Sequence, residues 1–411
     1  MSEVAIYKKQ TNELVSVLDA ETIILDCKKS YGNEVLPFEE CCGRILAADI
    51  IADRDFPSFD RVTMDGIAIN YSAYQNGLRH FQIERTMAAG DRPLPLQKKN
   101  NCIEIMTGAA LPNGTDSVIR YEDLSIENGI ATILADTVSK GQNIHNKGKD
   151  RKKRQTVATA NQLIDAAVIA VAASVGATHL TIEKLPRIAI ISTGNELVNV
   201  NENPLDWQIR SSNNYAIQTV LKTYSINADR FHANDDPVTS KIIIQDCLSN
   251  YDVLLLTGGV SMGKFDCIPQ ILEEAGATKL FYKVQQKPGK PFWFGHKGQK
   301  IVFAFPGNPV STFLCLHRYF IPWLKACLQL ETKKLYAILN EDIEFVPSLH
   351  YFLQVKINAA ADGKLIAIPV KGNGSGDYAN LVEADAFMEL PAEKTNFFKG
   401  EAYQIWPFKN L

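Results

Sequence analysis

The feature that most constrains this chain is a regular alternation of strand-like and helix-like segments between residues 187 and 330. "RIAIIS" reads as a buried strand and is followed by a helix through "NNYAIQTVLKTY". "NADRFHAN" and "PVTSKIIIQDCLSN" form the next strand and helix, the helix opening on a proline, which suits a first helical turn. "DVLLLT" is followed by the helix "DCIPQILEEAG", and "KIVFAF" by the helix "PVSTFLCLHRYFIPWL". Such alternation predicts a doubly wound, largely parallel sheet.

The chain has 411 residues, too many for one such unit, so further domains are expected. The first 50 residues read as mostly helical, with "NELVSVLDAETIILDCKKSYG" spaced for a helix and closed by a glycine, and "QLIDAAVIAVAASVG" (162–176) is again helical. Between 50 and 150, clusters of Gly, Pro, Asn and Asp divide short runs such as "GIAIN", "CIEIM", "DSVIRY" and "IATIL", which predicts a small β-rich domain. Beyond 333 helical signals stop; "YFLQVKINAAADGKLIAIPV" reads as a hairpin and "AFMELP" and "EAYQIWPF" as strands. The expectation is therefore an α/β multidomain protein. Its parts are an N-terminal helical linker domain (1–50 with 151–185), a β-rich insertion (51–150), a central doubly wound α/β domain (186–332) and a C-terminal β-barrel-like domain (333–411).

A net charge of -3 argues against a nucleic-acid partner bound through bulk positive charge. No apolar run is long enough for a bilayer span, and the N-terminal residues lack the basic-then-apolar order of a signal peptide. Eight cysteines without a CxxC spacing read as structural thiols. The expectation is a cytoplasmic protein with no membrane partner.

Open α/β sheets bind ligands at the carboxyl ends of their strands. Here those ends carry "STGNE" (192–196), "HANDD" (232–236), "TGGVSMGKFD" (257–266) and "FPGNPVST" (305–312). Glycines allow close backbone approach, and helix N-termini favour phosphate. There is no GxGxxG and no GxxxxGK[ST], so neither a dinucleotide nor a P-loop nucleotide is signalled. In "QQKPGKPFWFG", Lys287 and Lys290 flank a tight Pro-Gly turn and aim two ammonium groups at one region, which suits an oxyanion. Asp65, Glu196, Asp235 and Asp266 lie in polar or glycine-containing loops. Carboxylates beside a phosphate site call for an intervening cation, and Mg2+ is the usual one.

Taken in order, "FPSFDRVTMDGIAI", "IMTGAALPNGTDSVI", "ISTGNEL", "NDDP", "TGGVSMGKFD", "KPGKPFWFG" and "FPGNPVS" resemble the molybdopterin molybdenumtransferase family (MoeA and the gephyrin E domain) over nearly the whole chain. The resemblance implies a transferase of molybdenum cofactor biosynthesis, which inserts molybdate into adenylylated molybdopterin with Mg2+-assisted release of AMP. It also implies a homodimer with the active site shared between subunits, and the molybdopterin adenylyltransferase as a further partner. By that resemblance, Asp65 and Thr107 reach the cleft from the partner subunit, and Glu196, Asp235 and Asp266 surround Mg2+ and the pyrophosphate. Thr193, Gly258, Gly259, Ser261, Pro306, Asn308, Pro309 and Asp150 bind or shape the site of the adenylylated pterin. Lys287, Lys290, Ser311 and Ser375 hold molybdate. His145, His232, His296 and His317 are left without a role.

The chain departs from the family pattern at several positions. Arg61-Val62 replaces Asn-Ser before "TMDG", Asn195 replaces an aspartate, and "HNKGKD" carries His145 near the family's arginine, Lys149 for its glutamate and the retained Asp150. Where the family tends to carry an arginine for molybdate, "YFLQVKI" offers Gln354, with Lys356 two residues on and expected on the same strand face. The run "KGKDRKKR" (147–154) reads as a solvated face or as an attractor of oxyanions. These departures keep a second reading open, a non-catalytic molybdopterin-binding or scaffolding paralogue. A third reading, an adenylyltransferase of the same α/β fold, is opposed by the additional domains.

Overall fold

A computed structural model describes residues 14–260, 267–372 and 374–410. Its central sheet runs, in spatial order, Leu14–Val15, Thr278–Val284, Pro291–Lys297, Lys300–Phe305, Val253–Thr257, Ile188–Thr193 and Asp229–Ala233. The last four strands are mutually parallel. Their residues alternate between two layers, as the pleat requires. Ile188, Ile190, Val253, Leu255, Phe303 and Phe305 face a core built with helices Val17–Asp26, Asn213–Lys222 and Pro309–Cys315. Ala189, Ile191, Leu254, Leu256, Val302 and Ala304 face helices Pro237–Asn250 and Ile268–Glu274. Burial on both faces explains why the three inner strands read as unbroken apolar runs, whereas Asp229–Ala233, at the sheet edge, is mostly exposed and polar.

The strands Thr278–Val284 and Pro291–Lys297 form an antiparallel hairpin that the strand–helix alternation did not predict. Lys279 and Lys283 interrupt the apolar pattern of the first strand. The aromatic run of the second is buried on both faces, with Phe292, Trp293 and Phe294 all inaccessible. The turn of this hairpin carries Lys287 and Lys290.

Among the described residues, the helical expectation for the first 50 is met by an α-helix only at Val17–Asp26, where the Ser16 hydroxyl accepts from the Asp19 N–H at 3.0 Å and caps the helix. Gly32 then takes a positive φ, and Asn33–Pro37 continues as a strand paired with His179–Glu183. The expected helix at 162–176 is present as Ala166–Ser174, capped by Asp165.

The β-rich region is a six-stranded sheet, ordered Ser117–Arg120, Gly66–Ile69, Asn101–Ile105, His80–Met87, Ile130–Ile133 and Leu124–Glu127. In the C-terminal region five strands close on themselves: His350–Ala359, Leu365–Pro369, Leu335–Leu339, Ala402–Pro407 and Ala386–Leu390, which returns to the first. Closure removes the open edges of a small sheet.

Two features seat this barrel on the α/β unit. Gln286–Lys287 of the hairpin turn pairs in parallel with His350–Tyr351 of the barrel. Arg318, only 2% exposed, donates from Nη2 to Glu21 at 2.8 Å and from Nε to Glu389 at 3.0 Å. Glu21 lies on the first helix and Glu389 on a barrel strand, so one guanidinium joins three segments distant in sequence. No helix among the described residues is long and apolar enough to cross a membrane.

Candidate active site

The carboxyl ends of the four parallel strands and the hairpin turn lie along one edge of the sheet, and the barrel stands against that edge. Between them is a cavity of about 750 Å³. Its floor comes from the sheet: Thr193, Gly194, Glu196, Asp235, Gly258 and Gly259, then Pro306, Asn308 and Ser311, then Lys287 and Lys290. Its far wall is barrel: Leu349, Tyr351, Phe352, Gln354, Val370, Gly372 and Ser375.

The strand order gives this cleft a charge gradient. Glu196 and Asp235 follow the two strands at one side of the sheet, and the lysines sit in the hairpin at the other. The glycine loops lie between. A cation is therefore favoured at one end and an oxyanion at the other.

Local structure sets each part. Asn195 and Asp235 clasp their two loops together: the Asn195 N–H donates to Asp235 Oδ2 and the Asp235 N–H to Asn195 Oδ1, both at 3.1 Å. An aspartate at 195 would add a second negative charge beside Asp235; the amide makes the same acceptor contact without it. Gly258 has φ +91°, and a Cβ there would lie 2.6 Å from the Thr193 carbonyl oxygen. Gly259, at φ +64°, would meet Ile268 Cγ1 at 2.6 Å and Thr193 Oγ1 at 2.9 Å. These glycines are required by close approach and by backbone conformation.

The lysine turn is held from below. Gln286 is fully buried, donates from Nε2 to the Gly289 carbonyl at 3.1 Å, and accepts from the Tyr319 hydroxyl. Both lysines remain exposed, and neither has an ion-pair partner among the described residues. On the opposite side, Asn308 Nδ2 donates to Ser375 Oγ at 2.9 Å, and the Val310 N–H donates to the Ser375 carbonyl at 3.1 Å. As an acceptor in that bond, the Ser375 hydroxyl, which lines the cleft, keeps its own hydrogen for a further partner. Asn213 Nδ2 donates to the Gly307 carbonyl at 2.8 Å and fixes the Pro306–Asn308 turn.

Of the residues expected at the site, Glu196, Asp235, Thr193, Gly258, Gly259, Pro306, Asn308, Lys287, Lys290, Ser311 and Ser375 are brought together in this one cleft. Pro309 does not line it; it opens the helix Pro309–Cys315, as its fixed φ favours. Ser261 and Asp266 lie outside the described residues.

Asp65, Thr107 and Asp150 lie in the β-rich region, away from the cleft of their own chain. Asp65 Oδ1 accepts from the Thr107 N–H at 2.7 Å, and this bond, with one from the Thr107 hydroxyl, holds the Asp65 carboxyl below the usual carboxylate range. Asp150 Oδ1 lies 2.7 Å from His145 Nε2. His145 is paired across a short ladder with Arg61, so two departures from the family pattern are direct neighbours.

Gln354 lines the cleft, and its Oε1 is buried without a partner among the described residues. Lys356 does not share that position. It lies in a separate depression with Lys371, Glu383, Asp385 and Lys409. Two residues advance a strand by roughly 6–7 Å, which carries Lys356 past the cleft wall. Gln354 and Lys356 do share the strand face opposite Leu353 and Val355, but Lys356 lies beyond the cleft and does not stand in for the arginine. His317 is fully buried beside Phe313 and Phe408, and burial, with Lys325, pushes its pKa down to about 3, so it stays neutral.

Gln286, Asn213 and Tyr351 were not singled out in sequence. Gln286 adjoins the lysine motif, but its role depends on Tyr319 and Cys315 from a later helical segment. Tyr351 enters only because the barrel docks on the hairpin.

Among the described residues there is no group of three or more His, Cys, Asp or Glu able to hold a metal. Glu196 and Asp235 are hard oxygen donors at the acidic end of the cleft. They fit Mg2+, which keeps water and shares phosphate oxygens rather than requiring an all-protein cage.

Comparison with known proteins accords with this architecture. The chain matches the MoeA N-terminal region (domain I and II) over residues 13–176, a probable molybdopterin binding domain over 189–326, and the MoeA C-terminal region (domain IV) over 336–408. It is 36% identical to a molybdopterin molybdenumtransferase of Synechocystis, spanning 96% of this chain and 100% of the relative. A molybdopterin molybdenumtransferase of Staphylococcus aureus is 29% identical over 95% of both chains. A crystal structure described as the molybdopterin biosynthesis MoeA protein of Pyrococcus horikoshii superposes with a TM-score of 0.83 at 27% identity, covering 97% of this chain and 100% of that one. The chain thus belongs to the molybdopterin molybdenumtransferase family, the transferases of molybdenum cofactor biosynthesis.

Proposed function

We propose that the cleft takes adenylylated molybdopterin and molybdate and transfers molybdenum to the pterin dithiolene with release of AMP. The observation carrying this reading is the charge gradient along one cleft: among the described residues, two carboxylates line one end, and two lysines without carboxylate partners line the other. Molybdate is a tetrahedral dianion. Lys287 and Lys290 supply cations, and Ser311 and Ser375 supply hydroxyl donors. The Gly258–Gly259 backbone, with Thr193, Asn308 and Pro306, receives the phosphate and pterin portion, where close backbone approach is needed. Glu196 and Asp235, together with Asp266, hold Mg2+. When bound, Mg2+ neutralises charge on the phosphates and makes AMP a better leaving group. The barrel wall excludes water from the basic end and orients the oxyanion against the lysines.

Asp65 and Thr107 carry the motifs of the site but lie away from the cleft of their own chain. This supports a homodimer in which each cleft is completed by the partner subunit, with Asp150 and the basic loop around it contributing to the same shared entrance. The reading also takes the molybdopterin adenylyltransferase as the supplier of the adenylylated pterin. Eight free cysteines fit a cytoplasmic protein.

The test is subunit complementation. Asp65→Ala and Lys287→Ala proteins should each show little AMP release at low molybdate. After the two are mixed and allowed to exchange subunits, random pairing creates one intact cleft in every heterodimer, so about a quarter of the wild-type activity should return. Mixtures as inactive as their parents, with exchange confirmed by mass, would reject the shared cleft.

A further inference from the structure

Lys287 stands at the basic end of the cleft, yet nothing in its own loop fixes its side chain. Its ammonium has no carboxylate partner among the described residues. What lies beneath it is an aromatic ring: Lys287 Nζ is 5.5 Å from the centroid of Phe345. Phe345 is stacked in parallel on Tyr351, with centroids 4.3 Å apart and planes 8° from parallel. Tyr351 is the residue that pairs with Lys287 across the ladder between hairpin turn and barrel, and it lines the cleft.

This ring pair is itself immobilised. Phe345 is 8% exposed and belongs to the barrel core with Leu353, Val355 and Met388. Its N–H donates to the Thr395 carbonyl at 2.8 Å. The ring therefore offers a fixed negative face to a flexible ammonium.

We propose that Phe345, backed by Tyr351, is a positioning residue that holds Lys287 for the oxyanion through a cation–π contact. The proposal rests on the reading of Lys287 as an oxyanion ligand. The choice of a ring over a carboxylate has a chemical consequence. A carboxylate would order the lysine but cancel its charge and repel an incoming dianion. A ring face orders the ammonium while leaving its full positive charge available to the ligand. It also makes the basic end of the cleft depend on barrel docking, because the ring belongs to the barrel and the lysine to the α/β unit.

The experiment is calorimetric titration of the full-length protein with sodium molybdate alone. Phe345→Leu should weaken molybdate binding by about three- to tenfold, the scale of a partly exposed cation–π contact. Phe345→Trp should keep binding close to wild type. Because leucine also alters packing, a second series replaces Phe345 with mono-, di- and trifluorinated phenylalanine. Fluorination drains the ring face of negative charge with little change of shape, so the dissociation constant should rise stepwise with fluorine number. A dissociation constant independent of fluorination would overturn the cation–π role, even if Phe345→Leu binds weakly, since only packing would then remain. If wild-type protein and Lys287→Ala bind molybdate equally, the oxyanion reading of Lys287 itself fails, and the positioning role falls with it.

Discussion

Replacing Arg318 with methionine is expected to destabilise the protein by about 3–5 kcal/mol, the usual effect of stranding buried charge by removing its partner. Arg318 is 2% exposed and faces two carboxylates, Glu21 and Glu389. Its guanidinium carbon also lies 4.2 Å from the Trp406 ring centroid, and Trp406 Nε1 donates to the same Glu389 oxygen at 2.7 Å. Burial alone would lower the Arg318 pKa, but Glu389, Tyr319 and Glu21 outweigh it and the net shift is upward, so the guanidinium remains charged. Methionine fills much of the volume and leaves Glu389 without its cation. The measurement is the urea midpoint, followed by barrel and sheet signals separately, since a multidomain chain need not unfold in one step. Adding Glu389→Gln to Arg318→Met should recover part of the loss, because it removes the stranded charge. A loss below about 1 kcal/mol for Arg318→Met would show that the clasp is dispensable. The consequence for function is direct: Tyr351, Gln354 and Ser375 form the cleft wall only while the barrel is seated.

Asp235→Asn is expected to lower Mg2+-dependent AMP release by about 100-fold, or nearly 3 kcal/mol of transition-state stabilisation, with the fold retained. The amide keeps an oxygen for the Asn195 N–H, so the clasp between the two loops survives in outline. What is lost is one of the two described carboxylates at the acidic end. A raised Mg2+ requirement accompanied by the loss would place the defect in metal binding. Activity within threefold of wild type would remove Asp235 from the metal site.

Much of the fold was legible because it rests on local rules. The three inner parallel strands are largely apolar, and the helix Pro237–Asn250 is capped by Asp236 and begins at its proline as expected. The site loops were legible for a related reason: Gly258, Gly259 and Gly289 of the KPGK turn mark backbone shapes that few other residues tolerate. The hairpin Thr278–Lys297 was not, because its lysines and its doubly buried aromatics mimic neither an alternating strand nor a helix. The barrel wall was not legible either. Tyr351 and Gln286 acquire their roles from contacts between separate segments, Tyr351 with the hairpin turn and Gln286 with Tyr319 and Cys315, which no spacing encodes. Lys356 shows that a shared face is not a shared site: it alternates with the core residues Leu353 and Val355 as Gln354 does, yet lies beyond the end of the cleft.

The most direct test of the account follows AMP release from adenylylated molybdopterin and Mg2+ with purified protein, in the presence and absence of molybdate. Release is expected to depend on molybdate and to saturate with it. Tight binding of the pterin with no AMP release at any molybdate concentration would contradict it and would make the chain a cofactor-binding paralogue, with the altered positions His145, Lys149 and Gln354 as the first places to look for the cause.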